Sequence, residues 1–222
     1  MQTIEETNEV LTNSIHSVRD AIPVFVRYPS PLSFLVLTAM ALVWRLSLGD
    51  WTLADGLTIL VVLAYWPVQE WFVHKYLLHL RPRRLLGYRL DPDFARRHRA
   101  HHRQPHAPSL IFLPIQALII LIPFIVAGFV HFMPRLQLAA SGLMALFYVA
   151  LQYEWIHFMV HTRIQPTHAF TKQLFRHHRL HHYRNEHHWY CFSVPQVDKL
   201  MGTSPELSEV PFSPTCRTLD YE

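Results

Sequence analysis

Cysteine is almost absent from this chain of 222 residues: Cys191 and Cys216 are the whole complement. Two thiols make neither a disulfide framework nor a cysteine-based zinc site. Charge is sparse as well, at 16% of residues against 50% hydrophobic, a balance that excludes a disordered or fibrous chain. Lysine is reduced to Lys75, Lys172 and Lys199, so the net charge of +4 is carried by arginine. The first 30 residues lack an apolar h-region and bear Glu5, Glu6, Glu9 and Asp20 against Arg19 and Arg27, which does not read as a secretory leader. At the other end Leu219-Asp220-Tyr221-Glu222 carries no dibasic or KDEL-type retention signal. The length fits one domain, or two at most. Histidine is the anomaly, with 17 residues.

Four apolar runs, at 31–48, 53–73, 110–130 and 136–157, approach the roughly 20 residues that a helix needs to cross a bilayer. The first is the shortest, and Arg45 at its far end is expected to snorkel out to the headgroups. The second has Asp55 near its start and Pro67 and Glu70 near its end; the third has no charge; the fourth has only Glu154. A mean hydropathy of +0.10 requires polar segments between these spans. The expected fold is all-α and integral to a membrane: four transmembrane helices with a His-rich helical cap, divided into an N-terminal segment 1–30, a membrane domain 31–203 and a tail 204–222. The alternative, buried core helices of a soluble protein, fits poorly with charges confined to the run ends.

Arginine orients the spans. Residues 81–103, after the second run, hold eight Arg against Asp91 and Asp93, whereas the loops at 49–52 and 131–135 are short and hold little charge. The positive-inside rule puts the Arg-rich side, and both termini, in the cytoplasm. Beside a membrane helix such a strip suits anionic headgroups better than nucleic acid, which is not expected as a partner.

Split near residue 108, the chain uses one plan twice: two spans, histidines at the end of the second, then more histidines in the polar segment beyond. The first half has His74 and His79, then His98, His101 and His102; the second has His157 and His161, then His178, His181 and His182. His157 and His161, at i and i+4, lie on one helical face. In H-x-x-H-H two adjacent ligands can diverge toward two ions. His74 and His79 are five apart, roughly 140° in azimuth on an ideal helix, so that pair needs a local distortion or two targets. Chance would place about 0.1 copies of H-x-x-H-H in a chain this rich in histidine, and there are two. His16, His131 and His168 read as satisfied or surface residues; a basic, pH-sensitive membrane surface is the bland reading of the clusters.

Ten imidazoles exceed one ion's shell of about four to six ligands, and two ions with about five each would use them all. Imidazole suits iron, zinc, copper and nickel alike. A site at a membrane surface faces lipid chains, whose targets are unactivated C–H bonds. Their attack requires dioxygen at a redox metal, which favours iron over zinc.

The set H-x4-H, H-x2-HH, H-x3-H, H-x2-HH around four spans resembles the fatty acid hydroxylase/sterol desaturase superfamily of membrane di-iron oxygenases, and most of all its fatty acid 2-hydroxylase branch. The likeness runs from about residue 67 to 203. It includes Tyr183 after the last pair, and Val197-Asp198-Lys199-Leu200-Met201-Gly202-Thr203 is similar to a closing W-D-x-x-F-G-T segment, with Val and Met in place of Trp and Phe. The resemblance implies that the ten motif histidines bind two iron ions, with zinc as a possible substitute, and that the chain hydroxylates a membrane lipid acyl chain with O₂. Glu70, four before His74, and Glu154, three before His157, are placed to accept ring protons from ligating histidines. His106, His177, His187 and His188 adjoin the motifs, and His177 competes with His178.

A separate electron donor such as cytochrome b5 or a ferredoxin is expected, the roughly 30 residues before the first span being too few for a fused donor domain. The face of Arg96, Arg97 and Arg99 suits an acidic donor or headgroups equally. A sterol, carotenoid or alkyl-lipid desaturase or oxidase is the nearest alternative, and a membrane metal transporter or sensor the alternative of another class. Transport sites lie near the bilayer midplane on broken helices, whereas these histidines lie at the span ends or beyond. A bacterial inner membrane or the ER would suit the chain.

Overall fold

The computed structural model describes residues 11–219; Glu5, Glu6, Glu9 and residues 220–222 lie outside them. Four helices are long and apolar enough to cross a membrane: Pro29–Ser47, Leu53–Leu78, Pro108–Phe132 and Leu136–Val160. The first is α2 (Pro29–Ser47); the second is α3 (Leu53–Phe72) continued by a π-helical turn, Val73–Leu78; the third joins α5 (Pro108–Ile111) to α6 (Ile115–Phe132); the fourth is α7 (Leu136–Val160). Loops of a few residues pair α2 with α3 and α6 with α7. α3 begins on a cap in which Asp55 Oδ2 accepts the Thr52 N–H at 2.9 Å.

The helix α7 is the axis of the bundle, packed along α2 and α3. The first part of its buried face, interrupted by Leu143 and Phe147, is rich in small residues (Ala139, Ala140, Ser141, Gly142, Ala145, Ala150) that let neighbouring backbones approach. At Gly142 an added Cβ would stand 2.3 Å from the Phe129 ring of α6, so the contact depends on glycine. The outer faces carry exposed Leu60, Val61, Ile119 and Phe124, the surface a bilayer would cover.

Arg45 does not snorkel. It is 0% exposed, and its Nε donates to Asp55 Oδ1 at 3.0 Å and to Ser141 Oγ at 2.9 Å, while Nη1 donates to the Gly49 carbonyl at 2.6 Å. The guanidinium also lies 3.8 Å over the Trp51 ring. These partners replace its hydration, which is why it can turn inward between α2, α3 and α7.

Beyond the bundle lie α1 (Val18–Phe25), an antiparallel hairpin of β1 (Arg83–Leu85) and β2 (Tyr88–Leu90), α4 (Asp93–Arg103), α8 (Ala169–Tyr183) and α9 (Gln196–Leu200). Among the described residues that hairpin holds the only strands, and helices make up most of the rest. α1 buries Ala21 and Phe25, and Phe25 packs edge-on against Trp155 and Phe112. Residues 12–25 are thereby held at the C-terminal end of α7, where the Thr12 hydroxyl donates to the His161 carbonyl at 2.8 Å.

Candidate metal centre

All ten motif histidines converge, in two groups of five whose ligand atoms lie within 4.8 Å of one another. One group is His74, His79, His98, His102 and His181; the other is His101, His157, His161, His178 and His182. The groups do not follow the two halves of the chain. His101 crosses from the first half to the second group, and His181 from the second half to the first. This follows from H-x-x-H-H on a helix: adjacent residues point about 100° apart, so His101 and His102 diverge, as do His181 and His182.

The five-residue gap between His74 and His79 is taken up by the π turn, whose His79 N–H donates to the His74 carbonyl at 3.3 Å. The extra residue per turn brings the two rings to 5.2 Å between centroids, close to the 5.1 Å of His157 and His161 on a regular helix. Such turns recur at functional sites because they re-aim side chains without ending a helix.

Backbone carbonyls fix the rings. Nδ1 of His74 donates to the Tyr190 carbonyl at 2.6 Å, that of His102 to Cys216 at 2.8 Å, and that of His181 to His188 at 2.8 Å; His157 bonds the Ile111 carbonyl. With Nδ1 protonated, each Nε2 turns its lone pair inward. His98 Nε2 then lies 3.1–3.2 Å from the Nε2 atoms of His74, His79 and His102. One nitrogen has a single proton or lone pair and cannot satisfy three such neighbours. Around a cation at about 2.1 Å, however, imidazole nitrogens at 90–109° would stand about 3.0–3.4 Å apart. In the second group the pairs His157–His101 and His161–His178 are 3.2 and 3.1 Å apart, and buried His182 has no protein partner on either ring nitrogen. Buried lone pairs that converge without donors fit a bound metal.

Burial also favours the neutral form of these imidazoles. It pushes His102 down to about 3, only partly opposed by its bond to Cys216. His98, His101, His161, His178, His181 and His182 likewise lie well below the ordinary imidazole value, first through burial and then through one another.

Neither Glu70 nor Glu154 meets a ring nitrogen, which corrects the expectation of carboxylate–imidazole pairs. Glu70 Oε1 accepts the backbone N–H groups of Phe192 at 2.8 Å and Ser193 at 3.1 Å, and its other oxygen takes the Ser193 hydroxyl. Glu154 Oε1 accepts from the Ser30 hydroxyl at 2.7 Å and the Leu113 N–H at 3.1 Å. Both lie on the expected side of their helices, but backbone donors reach them first. They hold the segments on which the histidines rest: 190–193 supplies the Tyr190 carbonyl and sets Phe192 against His157 at 5.1 Å, and 111–113 supplies Ile111.

Asp198 is the residue the motif spacing did not reveal. Its carboxylate accepts the N–H groups of Tyr190 at 3.0 Å and Cys191 at 2.6 Å, the Thr203 hydroxyl at 2.5 Å, and His177 Nε2 at 2.8 Å. His177 therefore turns away from the metal groups and does not compete with His178. The only signal was its place in the closing segment similar to W-D-x-x-F-G-T. Trp189, at φ 60, adopts a left-handed turn costly for a bulky residue; that turn aims the carbonyls of His188 and Tyr190 at His181 and His74. His106 caps the His161 carbonyl at 2.9 Å and lies outside both groups.

A small pocket of about 80 Å³ touches His74, His98, His101, His157 and His178, floored by Ile111, Phe112, Tyr153 and Phe192. Leu113 lines both it and an apolar groove of about 530 Å³ between α3, α6 and α7, which reaches to Met133 at the other end of the bundle. Leu113 thus stands where the groove and the small pocket beside the imidazoles adjoin.

Residues 58–203 match the fatty acid hydroxylase family. The chain belongs to that family. A dihydroceramide fatty acyl 2-hydroxylase of Arabidopsis thaliana is 25% identical over 151 residues, which cover 68% of this chain and 61% of that protein; the chain spans less than two thirds of that curated relative. Among solved structures, the visible hydroxylase domain of full-length Scs7p superposes with a TM-score of 0.67 at 21% identity, covering 83% of this chain and 68% of that one. That likeness shows the fold. Membership in the fatty acid hydroxylase family suggests a metal cofactor, and the paired histidine groups are where one would sit.

Proposed function

We propose that the chain hydroxylates an acyl chain of a membrane lipid at a centre of two iron ions. The balanced reaction is R–H + O₂ + 2 e⁻ + 2 H⁺ → R–OH + H₂O, with the electrons supplied by an external carrier such as cytochrome b5 or a ferredoxin. The reading is supported by one observation: two groups of five histidines, nine of the ten buried, beside a small pocket whose lining residue Leu113 also lines an apolar groove along the bundle. His74, His79, His98, His102 and His181 would hold one ion, and His101, His157, His161, His178 and His182 the other. When bound, iron supplies the activation of dioxygen that an unactivated C–H bond requires; zinc, which the same ligands accept, does not. The groove binds the chain, and Phe112, Tyr153 and Phe192 register one methylene against the imidazoles and exclude water. The histidine cap, both termini and the Arg-rich segment face the cytoplasm, in a bacterial inner membrane or the ER. Residues 31–203 form the catalytic domain, to which the tail contributes through the Cys216 carbonyl.

Expression in a host of defined lipid composition, followed by mass spectrometry of total lipids, tests the reading. A gain of one oxygen on acyl chains is expected, and its complete loss in His181→Ala with membrane insertion intact. A loss of two hydrogens would make the chain a desaturase. An unchanged lipidome with a working donor, or full activity in His181→Ala, sinks the proposal.

A further inference from the structure

The helix that carries His178, His181 and His182 inward has an outer face of opposite character. Lys172, Arg176 and Arg179, at i, i+4 and i+7 of α8, form one stripe. With Tyr183, Arg184 and Phe212 they line an open groove of about 610 Å³ with no acidic residue in its lining. Arg217 lies 5.7 Å over the Tyr183 ring, and Arg184 stacks 3.9 Å over Phe212. Lys172 and Arg176 are exposed and make no ion pair among the described residues. In the other basic strip at least half of the arginines are engaged within the chain: Arg89 and Arg99 pair with Asp91, Arg96 with Asp93, and Arg97 donates to the Ser109 carbonyl. That strip also continues directly from the end of α3, where headgroups would meet it.

We propose that the groove on the outer face of α8 is the docking surface for an acidic one-electron carrier protein that reduces the metal centre. The inference rests on the hydroxylase reading, which requires two electrons from outside the chain per turnover. Each docking transfers one electron: the carrier is oxidised by one, the centre is reduced by one, and two dockings with two solvent protons complete the balance given above. Leu180 and Tyr183 line the groove while His181 and His182, their neighbours in sequence, enter the two metal groups, so only the thickness of α8, about 10 Å, separates carrier from ligands. Charge complementarity chooses the partner: a concave cationic surface with an aromatic floor steers an acidic protein.

The test uses the full chain, metal-loaded, in nanodiscs of zwitterionic lipid, with two probes: the soluble acidic domain of a cytochrome b5 and an acidic [2Fe–2S] ferredoxin. At least one is expected to bind at low ionic strength and to weaken with salt. The K172E/R176E variant is expected to lose about tenfold or more in affinity for it, with metal content and dithionite-driven hydroxylation unchanged. The inference is overturned if neither probe binds the wild type, if K172E/R176E binds as the wild type does, or if R96E/R97E alone abolishes binding. It is equally overturned if K172E/R176E keeps its affinity for the probe but loses attraction to phosphatidylserine-containing discs, which would make the groove a headgroup site. Absence of hydroxylated lipid when the wild type is reduced anaerobically with dithionite, freed of the excess and then given O₂ condemns the hydroxylase reading instead, and the binding data still decide the groove.

Discussion

Buried charge and buried imidazole make opposite demands at the level of single residues. Arg45 keeps its charge inside the bundle because Asp55, Ser141 and Gly49 surround it. Asp55→Ala should therefore cost about 3–5 kcal/mol, most of it from the guanidinium left alone, while replacing Arg45 and Asp55 together by apolar residues of similar volume should cost far less; unfolding of both variants in detergent separates the two outcomes. The histidines, by contrast, are buried neutral. His102 is held down to about 3 against about 6.5 in an unfolded chain, so the unfolded state takes up protons first as pH falls. The stability this provides is complete above about pH 6.5 and disappears progressively toward pH 3. A metal-free sample should show a thermal midpoint that drops steeply between pH 7.5 and pH 5, and a flat profile over that range would contradict the buried neutral set. The histidine ladder was legible in the sequence, because spacing on a helix fixes direction, whereas the burial of the clusters was not. The inward turn of Arg45 was not: its partners Asp55 and Ser141 lie on two other helices, and no local pattern links them.

Among the elements, the segment 188–193 decides most. It has no regular structure, yet the His188 and Tyr190 carbonyls orient His181 and His74, and it is tied down from two sides by Glu70 and Asp198. Asp198→Ala removes an acceptor shared by two backbone N–H groups, a hydroxyl and His177. Its metal affinity should fall about 10–100-fold, as is usual when the support of a ligand is lost, with the weakening concentrated in the group that holds His74 and His181. Chelator competition measures this, and wild-type retention of both ions would show that the segment is held well enough by Glu70 alone. Sequence reasoning located Glu70 on the correct face but gave it the wrong partner, since a carbonyl or an N–H group carries no residue identity and leaves no mark in a motif. The π turn at Val73–Leu78 was foreshadowed only as a geometric misfit between His74 and His79; its solution depended on backbone conformation.

Across the whole molecule, each metal group takes four histidines from one half of the chain and one from the other. The crossing predicts how ligand losses combine. If each group holds one ion, as proposed, His101→Ala and His161→Ala, from different halves, should each reduce the complement from two ions to one, and the double variant should still hold one. His101→Ala with His181→Ala should hold none. Metal analysis of purified protein checks this directly, and a double His101/His161 variant empty of metal would contradict the grouping. The four spans and the repeated plan were visible in the hydropathy and histidine patterns, but the exchange between halves was not, because H-x-x-H-H shows that neighbours diverge without saying where. The same crossing governs the order of events on the ribosome. When the first hairpin and α4 have emerged, four imidazoles are in place but the fifth, His181, has yet to be translated, and the Cys216 carbonyl that steadies His102 comes later still. On the proposed two-ion centre, a nascent chain therefore cannot present either complete set of five histidines until His181 and His182 have been translated.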